Sequence, residues 1–113
     1  MSYDLTDLRL FVAIAEERNL TRGAARAYLA PSSASHRLRR LEEALNTSLF
    51  ERQTRGVALT RAGEALLRNA RQVLASVEQM HANLSPFASG IRGHVSLWAN
   101  TCLLYTSPSP RDS

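Results

Sequence analysis

Apolar residues recur in this chain in two rhythms, one helical and one extended, and the switches between them mark its elements. Leu8, Phe11, Val12 and Ala15 repeat at i, i+3, i+4 and i+7, a one-sided stripe that predicts a helix from about Asp4 to Glu17. Asp4 and Asp7 at its start suit the positive end of the helix dipole, and Asn19 beyond its end can take the left-handed backbone. Thr21 has the chemistry of an N-cap for a short second helix, RGAARAYL, expected to bury Ala24, Ala25, Tyr28 and Leu29. Its Gly23-Ala24-Ala25 face is thin enough for a neighbouring helix to cross closely. Pro31 ends that helix and fits the first turn of the next, so the two are tightly linked. The third helix, to about Leu45, buries Ala34, Leu38, Leu41 and Leu45, and Asn46 is expected as its left-handed C-cap.

The rhythm then becomes extended. Leu49-Phe50-Glu51-Arg52 and Gly56-Val57-Ala58-Leu59 flank Gln53-Thr54-Arg55 and predict a small hairpin with Arg52 and Arg55 at its tip. Thr60 is expected to cap a final helix running to Ser85, ahead of Pro86. Leu66, Ala70, Val73, Val77, Met80 and Leu84 form a heptad seam on it, widened by Leu67 and Leu74. So long a seam points to burial against a second copy of the chain. Packing on its own domain is the competing reading for the first two turns.

The polar positions carry the chemistry. The outer face of the third helix presents Ser32, Ser33, His36, Arg37 and Arg40, and two tightly linked helices with such a face describe a helix-turn-helix. Short hydroxyl side chains let the helix start enter a major groove closely, while Arg and His donate to phosphate or to guanine O6 and N7. A polar outer face on an ordinary three-helix packing is the alternative. Likewise, the two hairpin arginines suit a wing that reaches the DNA backbone or minor groove, and a plain surface hairpin is the bland reading.

Charge sharpens this. All 14 basic residues are arginine, and the formal net charge is +4. Nine arginines lie between Arg18 and Arg61, against only Glu42, Glu43 and Glu51. That surplus favours a polyanionic partner, although a solvated arginine-rich face would look the same. With 113 residues, 44% hydrophobic and 21% charged, the chain has the balance of one globular domain. No run approaches the roughly 18–20 apolar residues of a membrane span, and no signal peptide opens the chain, so it reads as cytoplasmic. One cysteine permits no internal disulfide. His36, His81 and His94 are scattered, no metal-ligand spacing or phosphate-binding glycine loop occurs, and neither an enzyme nor a cofactor is expected.

The marks LRLFVAIAE, AAR-LAPSSAS, RRLEEALNTSLFER and RGVALTRAG, followed by a long helix, resemble in order and spacing the N-terminal domain of LysR-type transcriptional regulators, over residues 4 to about 98. The resemblance implies a mainly α fold, a winged helix-turn-helix of three helices plus a two-stranded wing, followed by a long dimerisation linker helix. It implies a homodimer on an inverted-repeat promoter site in double-stranded DNA. By position, its DNA-facing residues fall on Pro31, Ser32, Ser33, Ser35 and His36, with wing contacts at Arg52 and Arg55. Thr21, Arg22, Arg37 and Arg40 complete the candidate DNA-binding set. Ala30 and Pro31 replace the family's usual polar residues before the recognition helix, removing a side-chain cap and a possible base contact. Asn46 replaces an expected glycine. A molybdate-responsive regulator's N-terminal domain is a related alternative, and a helical protein-interaction module is a different one.

The expected division is residues 1–60 for the DNA-binding domain and 61–88 for the linker helix. Residues 89–100 would be a hinge, at Ser89-Gly90-Ile91-Arg92-Gly93, and the first strand of a missing effector domain, which in the family binds a small-molecule co-inducer. The closing TCLLYTSPSPRDS (residues 101–113, with Cys102) could be an extended linker, but it resembles a translated sequencing adapter and is expected to be a non-native tail.

Overall fold

In a computed structural model of the protein, residues 2–92 are described. The strand expected after the Ser89-Gly90-Ile91-Arg92-Gly93 hinge and the tail from Thr101 lie outside them. Four helices and one hairpin follow in the order α1 (Leu5–Glu17), α2 (Leu20–Arg26), α3 (Pro31–Leu45), β1 (Phe50–Gln53), β2 (Gly56–Leu59) and α4 (Arg61–Arg92). The chain divides into two compact units, Met1–Ala75 and Ser76–Ser113. The first therefore extends past residue 60 and takes in the opening turns of α4.

Within the first unit α1 is the central element. The capping box at its start is reciprocal: Asp4 accepts the Asp7 N–H at 3.0 Å, and Asp7 accepts the Asp4 N–H at 3.1 Å. Leu8, Leu10, Phe11, Ala13 and Ile14 are all buried, a broader apolar surface than the predicted stripe, because α1 has neighbours on several sides. Leu10 and Ile14 pack with Ala24 and Ala34, joined by Leu20, Leu29, Leu38 and Val57. Phe11 packs with Leu41 and Leu49, joined by Leu45, Leu59, Leu66 and Leu67. The Phe11 and Phe50 rings, 5.2 Å apart between centroids, connect the wing to α1. Two glycines permit the close approaches. A Cβ on Gly23 would lie 2.5 Å from the Ile14 Cα, and one on Gly63 would collide with the Leu49 carbonyl.

The chain reverses are built differently from expectation. Arg18, not Asn19, takes the left-handed backbone after α1 (φ 54°). Asn19 instead caps α2, its side chain accepting the Arg22 N–H at 2.8 Å, which places Thr21 inside the first turn rather than at the cap. An amide oxygen two residues before Thr21 had the better geometry.

The second helix also ends early. The Leu29 N–H donates to the Ala24 carbonyl and the Tyr28 N–H to Ala25, a Schellman arrangement with Tyr28 at the left-handed position (φ 60°). That reversal sends Leu29 into the core and turns Tyr28 outward, 96% exposed. Tyr28 is therefore not buried, and Ala25 is exposed as well. Asn46 closes α3 at φ 55°, as its position suggested.

The hairpin is antiparallel, with Phe50 opposite Leu59 and Gln53 opposite Gly56, which leaves Thr54 and Arg55 as its turn. Arg52 therefore lies within β1 opposite Val57, not at the tip. The positive φ falls on Gly56 (117°), where a Cβ would strike the Arg18 carbonyl that accepts the Val57 N–H at 3.2 Å. The wing is thus tied to the α1–α2 junction. Thr60 caps α4 as expected, its hydroxyl accepting the Gly63 N–H at 3.0 Å and donating to the Ser48 carbonyl at 2.7 Å.

The fourth helix does not stop at Ser85. It contains Pro86 and continues through Arg92, so residues 89–92 of the expected hinge are helical. A proline removes only its own N–H from the i→i−4 ladder, and the turns on either side retain theirs. In the second unit Met80, Leu84 and Phe87 are exposed on this helix.

Candidate nucleic-acid interface

The third helix sorts its side chains by a 100° step into distinct faces. Ala34, Leu38, Leu41 and Leu45 face the core and are buried or half-buried. Ser32 and His36 lie on the opposite side, exposed, with Ser33 nearby and exposed too. Ala30 offers no side-chain cap and Pro31 occupies the first turn, so the helix opens with a short, unobstructed end. Serine and imidazole groups there can donate and accept in a groove without bulk in the way.

Two of the expected outer-face arginines are diverted. One, Arg37, turns toward the start of α1, with its Nη1 at 3.0 Å from Asp7 Oδ1 and 3.7 Å from Asp4 Oδ1. Among the described residues Asp7 is the one charged residue of the buried core, and Arg37 is its counterion. Arg40 donates through Nη2 to the Ser2 carbonyl at 2.9 Å. Both lean away from the Ser32–His36 face. For Arg37 the cause is geometric, since residue 37 lies about 100–140° around the helix from Ser32 and His36; residue 40 lies only about 40–80° from them, and Arg40 is drawn aside by the Ser2 carbonyl.

A third face looks toward the wing. Ser35, Arg39 and Glu42, spaced i, i+4, i+7, line a cleft of about 230 Å³ with Ser48, Phe50, Arg52 and Val57. Among the described residues neither Arg39, Arg52 nor Arg55 has a carboxylate within ion-pair distance, whereas Arg22, Arg26, Arg37 and Arg71 all do. Arg39 was missed as a candidate. Its signal was present, since 32, 36 and 39 share one side of a helix and 35 and 39 stand one turn apart.

On α2, Thr21 and Arg22 are exposed. Arg22 sits 3.6 Å from Glu17, a loose surface pair. Arg26 is held more firmly by Glu16 at 2.9 Å and Glu17 at 3.4 Å. Glu16 also accepts from Arg71 of α4 at 2.9 Å. Those hydrogen bonds, with Arg71 first and Arg26 next, hold the Glu16 carboxyl below its usual range. The backbone N–H of Asp7 does the same for Asp4, with a smaller pull from Arg37. Of the predicted seam, Leu66 packs into the first unit's core and Ala70 is buried there. Val73, Met80 and Leu84 are exposed and Val77 is half-buried. No group of three or more His, Cys, Asp or Glu side chains that could hold a metal occurs among the described residues. No described helix is long and apolar enough to cross a membrane.

Three packed helices, a tight α2–α3 turn, a two-stranded wing and a long following helix define a winged helix-turn-helix protein. Residues 5–64 match the family described as bacterial regulatory helix-turn-helix protein, lysR family, and the chain belongs to it. It is 40% identical over 94 residues to the HTH-type transcriptional regulator BudR of Klebsiella aerogenes, covering 83% of this chain and 66% of BudR. It is 35% identical over 107 residues to the HTH-type transcriptional activator IlvY of Salmonella typhimurium, covering 95% of this chain and 36% of IlvY. The chain thus spans about a third of IlvY's length. Among solved structures, it is similar to the BenM DNA-binding domain in complex with benA site 1 DNA, with a TM-score of 0.71 and 36% identity. That likeness covers 77% of this chain and 98% of the BenM chain.

Proposed function

We propose that this chain is the DNA-binding part of a LysR-type transcription regulator, acting in the cytoplasm on double-stranded promoter DNA and without enzymatic activity. The observation that carries the reading is the likeness to a domain solved on its DNA site. It is joined here to an exposed Ser32, Ser33 and His36 face, flanked by Arg39, Arg52 and Arg55, which have no carboxylate partner among the described residues. Serine and histidine at the start of α3 read base edges, and the arginines contact the backbone, with Arg55 at the hairpin turn placed to enter the minor groove. Pro31, Thr21 and Arg22 complete the proposed contact set. The chain acts as a homodimer through α4, using the apolar positions its own core leaves free: Val73, Val77, Met80 and Leu84.

Binding of the 113-residue chain to a duplex carrying an interrupted inverted repeat from beside its own gene tests the reading. Fluorescence anisotropy at stepped salt is expected to show affinity falling linearly in log–log form, with a slope of about −0.9 per phosphate contacted. A scrambled duplex should bind more weakly at every salt. Absence of binding to any promoter fragment at low salt would overturn the proposal.

A further inference from the structure

We infer that Arg39 of α3 and Arg52 of β1 together clamp a single backbone phosphate of the bound strand, in the cleft between the recognition helix and the wing. The inference rests on the DNA-binding reading above and assigns Arg52 a different task from Arg55. The pleat of β1 sets this: residues 50 and 52 share a face, so Arg52 follows Phe50 toward α3 while Arg55 stays in the turn. Arg39 reaches the same cleft from the opposite wall, one helical turn beyond Ser35.

The chemistry of the walls favours one anion. Two guanidinium groups without carboxylate partners line a concave site, and Ser35 contributes a hydroxyl with no side-chain hydrogen bond among the described residues. The carboxylate on that wall, Glu42, turns its Oε2 to the Leu49 N–H at 2.8 Å, and the two guanidinium charges outnumber its single negative charge. The Ser48 hydroxyl is likewise engaged, donating to the Phe50 carbonyl at 3.1 Å. With the start of α3 in a major groove and the hairpin turn over the neighbouring minor groove, the sugar-phosphate strand between the grooves crosses this cleft. A planar guanidinium from each side then matches a phosphate's oxygens.

The test measures the salt slope of duplex binding for R39A, R52A, the double variant, and R9A, which removes an exposed arginine of α1 that lies outside the cleft. Each cleft variant should weaken inverted-repeat and scrambled duplexes by the same factor. The double variant should flatten the slope by about 0.9, the value of one phosphate, while R9A leaves it unchanged. A flattening of about 1.8 would overturn the shared phosphate. A changed preference between the two duplexes would overturn phosphate contact altogether. Wild-type binding with unaltered slopes in the cleft variants would overturn only the clamp, whereas a wild-type chain that binds no duplex would sink the broader reading and the clamp with it.

Discussion

Arg37 was expected on the DNA-facing side of α3, and the structure makes it a counterion instead. The perturbation that separates these roles is Arg37→Met, which keeps the aliphatic stem and deletes the charge. It leaves Asp7, 1% exposed, without its guanidinium, although the Asp4 N–H still donates to it at 3.1 Å. Breaking a fully buried pair by removing one partner costs about 3–5 kcal/mol, and an exposed pair is worth about 0–1 kcal/mol. The Arg37 side chain is 31% exposed, so water partly screens the pair, and we place the loss near 2 kcal/mol. At an m-value of about 1 kcal/mol/M, the urea midpoint should fall by about 2 M. The double substitution D7L/R37M removes both charges and should recover most of that loss, because an apolar pair of similar bulk replaces an ionic one. The salt slope of DNA binding should be the same in R37M as in wild type. If R37M instead unfolds within about 0.5 kcal/mol of wild type while its salt slope flattens by about 0.9, Arg37 is a phosphate contact and the reasoning fails.

Other expectations follow from the same contacts. Gly23→Ala should destabilise by about 2–3 kcal/mol in urea melts, because the new Cβ would sit 2.5 Å from Ile14 atoms and force α1 and α2 apart. A wild-type midpoint would show that the crossing can relax. Thr60→Ala should lower stability by about 1–2 kcal/mol by removing the α4 cap, whereas Thr60→Ser, which keeps both hydrogen bonds, should lose far less. Acidification should destabilise the fold through Glu16. Its folded carboxyl lies below its usual value of 4.5, so its contribution is complete above that pH and disappears as pH falls through the lowered value. Asp4 adds a change of the same sign. Glu16→Gln should flatten the dependence of stability on pH in that window, and an unchanged profile would remove Glu16 as its source.

Much of the fold was legible because local chemistry and global packing agree. The α3 core face, the Asn46 reversal, the Thr60 cap and the hairpin all follow from residues whose preferences are set within a few positions. The misreadings share a cause. Tyr28 looks like core by periodicity, but a six-to-one hydrogen bond from Leu29 to Ala24 ends α2 and leaves its aromatic ring in solvent. Asn19 and Thr21 are both capping residues, and only the actual helix start chooses between them. On α3, Ser32, Ser33 and His36 are exposed on the side where helical periodicity put them. Arg39 was hidden because its significance depends on Arg52, thirteen positions away and on another element.

By itself, the sequence determined the element order, the helix-turn-helix spacing and the family, because periodicity, caps and turn residues are local properties. Only the tertiary structure decided which arginines remain available to a polyanion. All carry the same charge, yet Arg26 and Arg37 are held by carboxylates from α1, while among the described residues Arg39 and Arg52 have no carboxylate within ion-pair distance. The structure also claimed Leu66 and Ala70 for the first unit's core, leaving Val73, Met80 and Leu84 exposed. Ion pairing and burial depend on what the rest of the chain brings within a few ångströms, and that distance is not written in the spacing of residues along it.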